Sequence, residues 1–547
     1  MEVKNTIKQA LSEALQKNGV SIEAKDVPLE FPAELSHGDY ASGIALKYAK
    51  QAGVDPRKLA QKLIDTMGAV ESVSKIEIAG PGFINFHLTS AALTDSLRSA
   101  SDSDMWGSNA ELSGKKVMVE YTDPNPFKEF HIGHLMANSI GESISRLVQF
   151  SGAETKRANY QGDVGPHVAK ALWGKMQKPE YSWGEAYAYG AKEYESSKEE
   201  IDAINAHVYA RDDEAMNQLY DTGRIESLDH FEVLYAILGT KFDFYFFESE
   251  TALKGLALVG EHSEVFERSD GAVVYKGEQD GLHTRVFITS KGLPTYETKE
   301  LGLARLKDET WRSDVSITVT AQEQADYFSV VIAVMRKIMP EIAAKIRHIS
   351  HGMMRLTTGK MSSRTGDVIT GESLLNDLIE QAKIRAAESR ADDKEKLAQD
   401  VAVAAIKYQI LKQASGKDIT FERERALSLE GDSGPYLQYA HARTSAILEK
   451  AKEQGVEPKL DESASADLSR LLRRFPEMVE RAAGDYEPHY VTNYLLQIAS
   501  EFNRWYAQEQ ILDGTPAAAH KVALTAAVSR TLKNGLWILG IPAPEKM

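Results

Sequence analysis

The chain of 547 residues contains no cysteine, which excludes disulfides and any cysteine-ligated metal. It also has no run of about 18 apolar residues, so no transmembrane helix is expected, and Met1-Glu2-Val3-Lys4-Asn5 has no apolar stretch of the kind a secretory signal needs. The expected location is therefore cytoplasmic, without membrane contact. The 14 histidines form no H-E-x-x-H or related ligand spacing, so no resident metal is expected. There is no excess of positive charge either. A net charge of −16 argues against indiscriminate nucleic-acid binding, DNA included, while leaving room for a local RNA-binding surface. Internal repeats and low-complexity tracts are also lacking. What remains is a large globular chain, 43% hydrophobic and long enough for several cores.

The most informative run is His131-Ile132-Gly133-His134. It follows Lys116-Val117-Met118-Val119-Glu120-Tyr121, which reads as a buried strand. Leu135, Ile140, Ile144, Leu147 and Val148 then recur at helical spacing. The motif thus falls between a strand and a helix, where Gly133 permits close approach of a nucleotide to the backbone. The helix N-terminus favours phosphates there, and two imidazoles can donate to phosphate oxygens as charge develops. Far downstream, Gly359-Lys360-Met361-Ser362-Ser363-Arg364-Thr365-Gly366 is a glycine-bounded basic loop, able to close over a triphosphate and neutralise departing pyrophosphate. ATP is the expected cosubstrate, with Mg²⁺ arriving alongside it.

Residues 1 to about 112 read as an α+β unit. It opens on an amphipathic helix (Ile7, Leu11, Leu15) and ends in two strands around Gly80-Pro81-Gly82, with Phe83, Asn85 and His87 on one face. The serine-rich stretch 99–104 and Ser108-Asn109 read as a linker. Residues 113–424 alternate strands with helices as a parallel sheet requires, with Val117–Tyr121, Arg285–Ile288 and Val315–Val319 as examples. A charged helical stretch from about 170 to 265 reads as an insertion, and 386–400 as a solvated charged helix. Residues 425–547 read as all-helical, ending in Leu532, Leu536, Ile538, Leu539 and Ile541.

The two nucleotide-site runs resemble the paired signatures of class I aminoacyl-tRNA synthetases, the second as K-M-S-S-R, which keeps the first lysine and replaces the second. Val119–His131, with its Glu120-Tyr121-Thr122-Asp123-Pro124-Asn125 core, resembles the arginyl-tRNA synthetase family in particular. So do Asn159-Tyr160-Gln161-Gly162-Asp163-Val164-Gly165-Pro166-His167 and the Gly431–Arg443 block. Gly38-Asp39-Tyr40-Ala41-Ser42 and Gly80–Leu88 are similar to that family's extra tRNA-binding domain.

The resemblance implies a Rossmann-like α/β catalytic domain with a helical insertion, an N-terminal α+β domain that binds tRNA, and a C-terminal all-α anticodon-binding domain. It implies ligation of L-arginine to tRNA(Arg) through an arginyl-adenylate, without an editing domain. Among site residues it implies His131, His134, Lys360, Ser362 and Ser363 as catalytic, with Gly133 and Met361 also at ATP. Lys128 is either a further phosphate ligand or a solvated loop lysine. For arginine it implies Glu120, Asn125, Tyr296, Glu300 and Gln324, with Gln322 the other candidate for the amide. A guanidinium needs such acidic partners, and Tyr296 and Glu300 lie four apart on a helical turn. The family usually has Asp where this chain has Glu300. For tRNA it implies Tyr436, Tyr439, Arg443 and Met547 near the anticodon and Asn85 at the elbow. Tyr436 reads equally as helix packing, and for Asn85 the competing reading as a strand-edge polar residue is the stronger of the two. A monomer is expected. The competing readings are a class I synthetase for another amino acid and a catalytically silent tRNA-binding relative.

Overall fold

The computed structural model describes residues 2–357, 370–461 and 467–547. Helix α1 (Glu2–Lys17) buries Ile7, Leu11 and Leu15 completely, as their spacing along one helical face requires. Strand β1 (Tyr40–Ser42) and helices α2 (Ile44–Tyr48) and α3 (Pro56–Met67) follow. Asp55 caps α3 by accepting from the Arg57 and Lys58 N–H groups, and Pro56 sits where a missing N–H goes unnoticed. Strands β2 (Val73–Ala79) and β3 (Phe83–Leu88) pair antiparallel, and β1 lies on the other side of β3. Pleating sends Ile84, Phe86 and Leu88 into the core, leaving Phe83, Asn85 and His87 on the opposite face.

Helix α4 (Ser90–Asp102) corrects one expectation, because most of the serine-rich stretch read as a linker is helical. Thr89 caps it, and Leu93, Leu97 and Ala100 are buried at helical spacing beneath the polar residues that suggested a loop.

The central sheet is built by β4 (Lys116–Glu120), β5 (Glu154–Gln161), β6 (Phe244–Phe247), β10 (Val315–Ala321) and β11 (Ile346–His351). All neighbours in it are parallel, in the order β11-β10-β4-β5-β6. From β4 the chain builds outward through β5 to β6, then returns to β10 on the other side of β4. The C-terminal end of β4 is thus the switch point where open parallel sheets bind ligands. Helix α5 (Ile132–Phe150) connects β4 to β5. Helices α6 (Pro166–Gln177), α7 (Trp183–Lys192), α8 (Lys198–Ala210) and α9 (Glu214–Leu238) form the expected insertion. The same stretch also supplies the edge strand β6, an aromatic run that sequence reading did not separate from the helices, and then α10 (Glu248–Glu261).

A second correction concerns Arg285–Ile288. It is a strand, β9, but it belongs to an antiparallel sheet with β7 (Glu267–Ser269) and β8 (Ala272–Tyr275) rather than to the parallel one. An apolar run identifies a strand without identifying its partner. Helices α11 (Tyr296–Thr310), α12 (Ala325–Ile338) and α13 (Pro340–Lys345) then flank β10 and β11 in the chain. Strands β12 (Met354–Leu356) and β13 (Ile419–Phe421) pair with each other, and between them in sequence run α14 (Gly371–Ala386) and α15 (Lys394–Leu411). The charged stretch 386–400 is therefore the connection between two helices plus the first turns of α15, not one helix.

After α16 (Arg423–Ala426) come α17 (Gly434–Glu453), α18 (Asp467–Leu472), α19 (Phe475–Asp485), α20 (His489–Gln508) and α21 (Ala518–Ile538), with no strand among the described residues. Leu532, Leu536, Ile538, Leu539 and Ile541 are all buried. The chain forms two compact units, and neither is a single stretch of sequence. One comprises Met1–Ser108, Ala440–Val479 and Tyr494–Asn534; the other Asn109–Tyr439, Glu480–Asn493 and Gly535–Met547.

Candidate active site

The loop from Tyr121 to His131 carries three non-glycine residues with left-handed backbone, Thr122 (φ 80°), Asp123 (47°) and Phe127 (68°). Such conformations persist only where the surroundings impose them. Here the Phe127 N–H donates to Ser227 Oγ of α9 at 3.0 Å, and the Phe127 ring packs edge-on to Trp183 with centroids 5.1 Å apart. The insertion thus fixes the loop.

The loop ends at His131, the N-cap of α5, whose N–H donates to Nδ1 of His134 at 3.1 Å. An accepting Nδ1 puts the neutral imidazole's proton on Nε2, so His134 can donate a hydrogen bond from that atom. The two rings stack with centroids 3.5 Å apart. Burial and the neighbouring Lys128 charge lower the pKa of His131; burial and then His131 lower that of His134 much further. Both imidazoles are therefore neutral donors at physiological pH. Gly133 is also tightly placed: a Cβ there would lie 3.0 Å from the His131 ring, which would have to give by a few tenths of an ångström. Lys128, half-buried, lies over the Tyr187 ring at 4.8 Å, and burial lowers its pKa.

Lys360, Met361, Ser362 and Ser363 lie outside the described residues. The flank that follows them is placed: Thr370 forms a β-bridge with His131, and the Gly371 N–H donates to Phe130 O at 2.7 Å. A Cβ on Gly371 would meet His131 O at 2.7 Å, so only glycine admits this approach.

At the end of β4, Glu120 is buried with its Oε2 3.1 Å from Lys307 Nζ of α11, yet that oxygen accepts no hydrogen bond. Glu300, also on α11 and buried, accepts from the Tyr327 hydroxyl at 3.4 Å. Burial, reinforced by the Glu120 charge, pushes its carboxyl up to about 8. Asp123 was not among the residues expected from sequence. Its Oδ1 accepts from the Tyr160 N–H at 2.7 Å, and burial followed by the Glu120 charge drives its pKa well up. Asn125 Oδ1 accepts from the Gly162 N–H at 3.1 Å, and a Cβ on Gly162 would lie 2.4 Å from that oxygen. His167 Nε2 bonds the Gly162 carbonyl at 2.7 Å, and burial holds its pKa down at about 3.

A second buried pair, Glu248 Oε2 and Lys299 Nζ at 2.5 Å, adjoins this group; burial raises Glu248 against the pull of Lys299. Sequence reading missed Asp123, Glu248, Lys299 and Lys307. For Lys307 a signal existed, since it lies seven residues beyond Glu300 on the same face of α11. Tyr296, by contrast, is 62% exposed at the first turn of α11. Gln322 and Gln324 are both exposed, in the single turn before α12.

The structure therefore gathers Glu120, Asn125, Glu300, Lys128, His131 and His134 around the C-terminal edge of the sheet. Its carboxylates outnumber its lysines, which suits a planar cation carrying several donors.

Away from this edge, a cavity of about 700 Å³ is lined by Phe31, Phe83, His37, Lys47 and Asn85 among others. Asn85 is itself buried. Tyr436, Tyr439 and Arg443 lie half-buried along α17, Met547 is half-buried, and Arg443 bonds Asn503 and stacks over Tyr506 at 5.2 Å.

Comparison with known proteins bears on the whole chain. Residues 98–423 match the family model for the catalytic domain of class I (R) tRNA synthetases. Residues 437–547 match the DALR anticodon binding domain, and 1–88 the arginyl tRNA synthetase N terminal domain. An arginine–tRNA ligase of Treponema denticola is 30% identical, covering 100% of both chains, and arginine–tRNA ligase 1 of Bacillus cereus is 29% identical with the same coverage. The solved arginyl-tRNA synthetase of Thermus thermophilus superposes with a TM-score of 0.82 at 26% identity, over 99% of each chain. That of Plasmodium falciparum shares the fold, with a TM-score of 0.80 at 21% identity over 99% of this chain and 98% of its own.

Proposed function

The chain belongs to the arginyl-tRNA synthetases of class I, and from that premise we propose that the end of β4 holds arginine while the histidine-capped end of α5 holds the phosphates of ATP. The enzyme ligates L-arginine to tRNA(Arg) using ATP, through an arginyl-adenylate. The observation that carries the arginine assignment is the set of buried Glu120 and Glu300 and half-buried Asp123 around Lys307 at the sheet's switch point.

Catalysis here is positioning and electrostatics, with no covalent enzyme intermediate. Asn125, pinned by the Gly162 N–H, and Glu120 orient the amino acid. His134 Nε2–H and the His131 ring face the α5 N-terminus, where helix dipole and donors stabilise charge developing on the α-phosphate. Lys128 adds a cation there. Gly133 leaves room beside the stacked pair. Lys360, Met361, Ser362 and Ser363 would close over the departing pyrophosphate from the segment that re-enters at Thr370. Tyr296 and Gln324, or Gln322, complete the arginine side. Mg²⁺ would arrive bound to the ATP phosphates.

We assign tRNA contacts to Asn85, in its aromatic and basic cavity, and to Tyr436, Tyr439, Arg443 and Met547. Residues 1–112, 113–424 and 425–547 then serve as the tRNA-elbow, catalytic and anticodon domains of a cytoplasmic monomer. No described helix is long and apolar enough to cross a membrane. Pyrophosphate release from ATP, measured with each of the twenty amino acids with and without tRNA, tests the pocket. Release with arginine alone is expected, and release with another amino acid overturns it.

A further inference from the structure

We propose that Asp123 is a further arginine-recognising carboxylate, and that Asp123 and Glu300 hold between them one proton which bound arginine displaces. This rests on reading the pocket as the arginine site. Asp123 owes its place to backbone geometry. Thr122 and Asp123 are both left-handed, which turns the chain back toward β5, and the Tyr160 N–H fixes Asp123 Oδ1 at 2.7 Å. From there the carboxylate faces Glu120 of β4, Glu300 and Lys307 of α11, and Tyr235 of α9. Glu300 in turn faces Glu120, Lys307, Glu248 of α10 and the Tyr327 hydroxyl of α12, while Tyr160 of β5 lies within the field of Glu248, Glu300 and Glu120.

The charges of the pocket's own side chains do not balance. Lys299 is engaged with Glu248 at 2.5 Å, so among the described residues Lys307, 3.1 Å from Glu120, is the lysine left for the buried Glu120 and Glu300 and the half-buried Asp123. Two like charges so placed cannot both ionise at ordinary pH, and one carboxyl keeps its proton. The upward shifts of Asp123 and Glu300 agree with this. A guanidinium stays charged in proteins. When it enters, a carboxyl O–H bond breaks, the proton passes to solvent, and the carboxylate left behind accepts the guanidinium's hydrogen bonds; no electron is transferred. A neutral isostere such as citrulline brings no charge and releases no proton.

Calorimetric titration of the full-length protein with L-arginine at pH 7, in two buffers of different protonation enthalpy, decides the matter. A buffer-dependent heat corresponding to about one proton released per arginine is expected. In D123N the release should fall by at least half, with affinity weakened by roughly 10-fold or more. E300Q should likewise suppress release. Arginine binding with buffer-independent heat overturns the proposal and leaves the pocket assignment standing. D123N matching wild type in both affinity and proton count removes Asp123 from the pocket. Failure of the wild-type protein to bind arginine, with and without tRNA, overturns the pocket assignment and the proposal with it. The wild-type buffer comparison decides the proton question whether or not the variants fold.

Discussion

At the scale of single residues, the site depends on groups held in an unusual protonation state by burial. His134 donates from Nε2 because Nδ1 is occupied by the His131 N–H at 3.1 Å. Replacing it by alanine should lower the rate of arginine-dependent pyrophosphate exchange by about 10²–10³-fold, with the arginine KM nearly unchanged; an unchanged rate would remove His134 from the phosphate site. His167 gives a stability prediction. Its folded pKa lies near 3, well below the ordinary 6.5. A depressed histidine contributes stability that is present above the unfolded pKa and lost as pH falls through the window from 6.5 toward 3. The loss approaches about 1.4 kcal/mol per pH unit. The urea midpoint should therefore drop between pH 7 and 5, and His167→Asn should flatten that dependence. The placement of the His131–His134 motif at the start of a helix after a buried strand was legible. That Gly133 packs tightly under the His131 ring was not, because the contact is made by a rotamer.

Among elements, the pair α10 and α11 shows why the proposed arginine pocket resisted sequence reading. Helix α11 buries Glu297, Thr298, Lys299, Glu300 and Lys307 beside Leu301 and Leu303. An apolar stripe is the usual sign of a buried face, and here polar residues occupy much of it, on the face that lines the proposed site. The two helices touch backbone to backbone. A Cβ on Gly255 would lie 2.0 Å from Thr298 O, and one on Gly302 would lie 2.1 Å from Thr251 O. This approach allows the Glu248–Lys299 pair to close. Gly302→Ala is expected to destabilise by about 1–3 kcal/mol and to raise the arginine KM more than the ATP KM, since α11 carries Glu300 and Lys307. Denaturant melts and steady-state kinetics check both parts, and an unchanged arginine KM would detach α11 from the pocket.

For the molecule as a whole, contacts far apart in sequence decide what folds together. In one unit, Glu477 meets Tyr40, Arg473 and Lys4, and Asp39 lies 2.8 Å from Arg470. Glu477→Ala leaves the buried Arg473 without its carboxylate, and should cost about 3–5 kcal/mol in chemical denaturation. In the other unit, the last residues of the chain are structural. Ser143 donates to Ile538 O at 3.0 Å, Lys407 to Gly540 O at 3.0 Å, and Gln438 to Pro542 O at 2.9 Å. Lys407 is fully buried, and burial pulls its pKa down to about 7. A protein ending at residue 424 loses all three carbonyl acceptors. It should be aggregated or partly unfolded by size exclusion and circular dichroism, and a folded, arginine-binding fragment would refute this.

What the sequence determined by itself was local. The 3.6-residue periodicity of α1, the strands around Gly80 to Gly82, the strand–turn–helix placement of His131 to His134 and the family signatures are all set by neighbours along the chain. What the tertiary structure alone decided was pairing at a distance. It placed Arg285–Ile288 in an antiparallel sheet, Lys307 beside Glu120, and Asp123 on the Tyr160 N–H. Periodicity records which face an element buries but not what meets that face, and a carboxyl's protonation depends on the charges that arrive there.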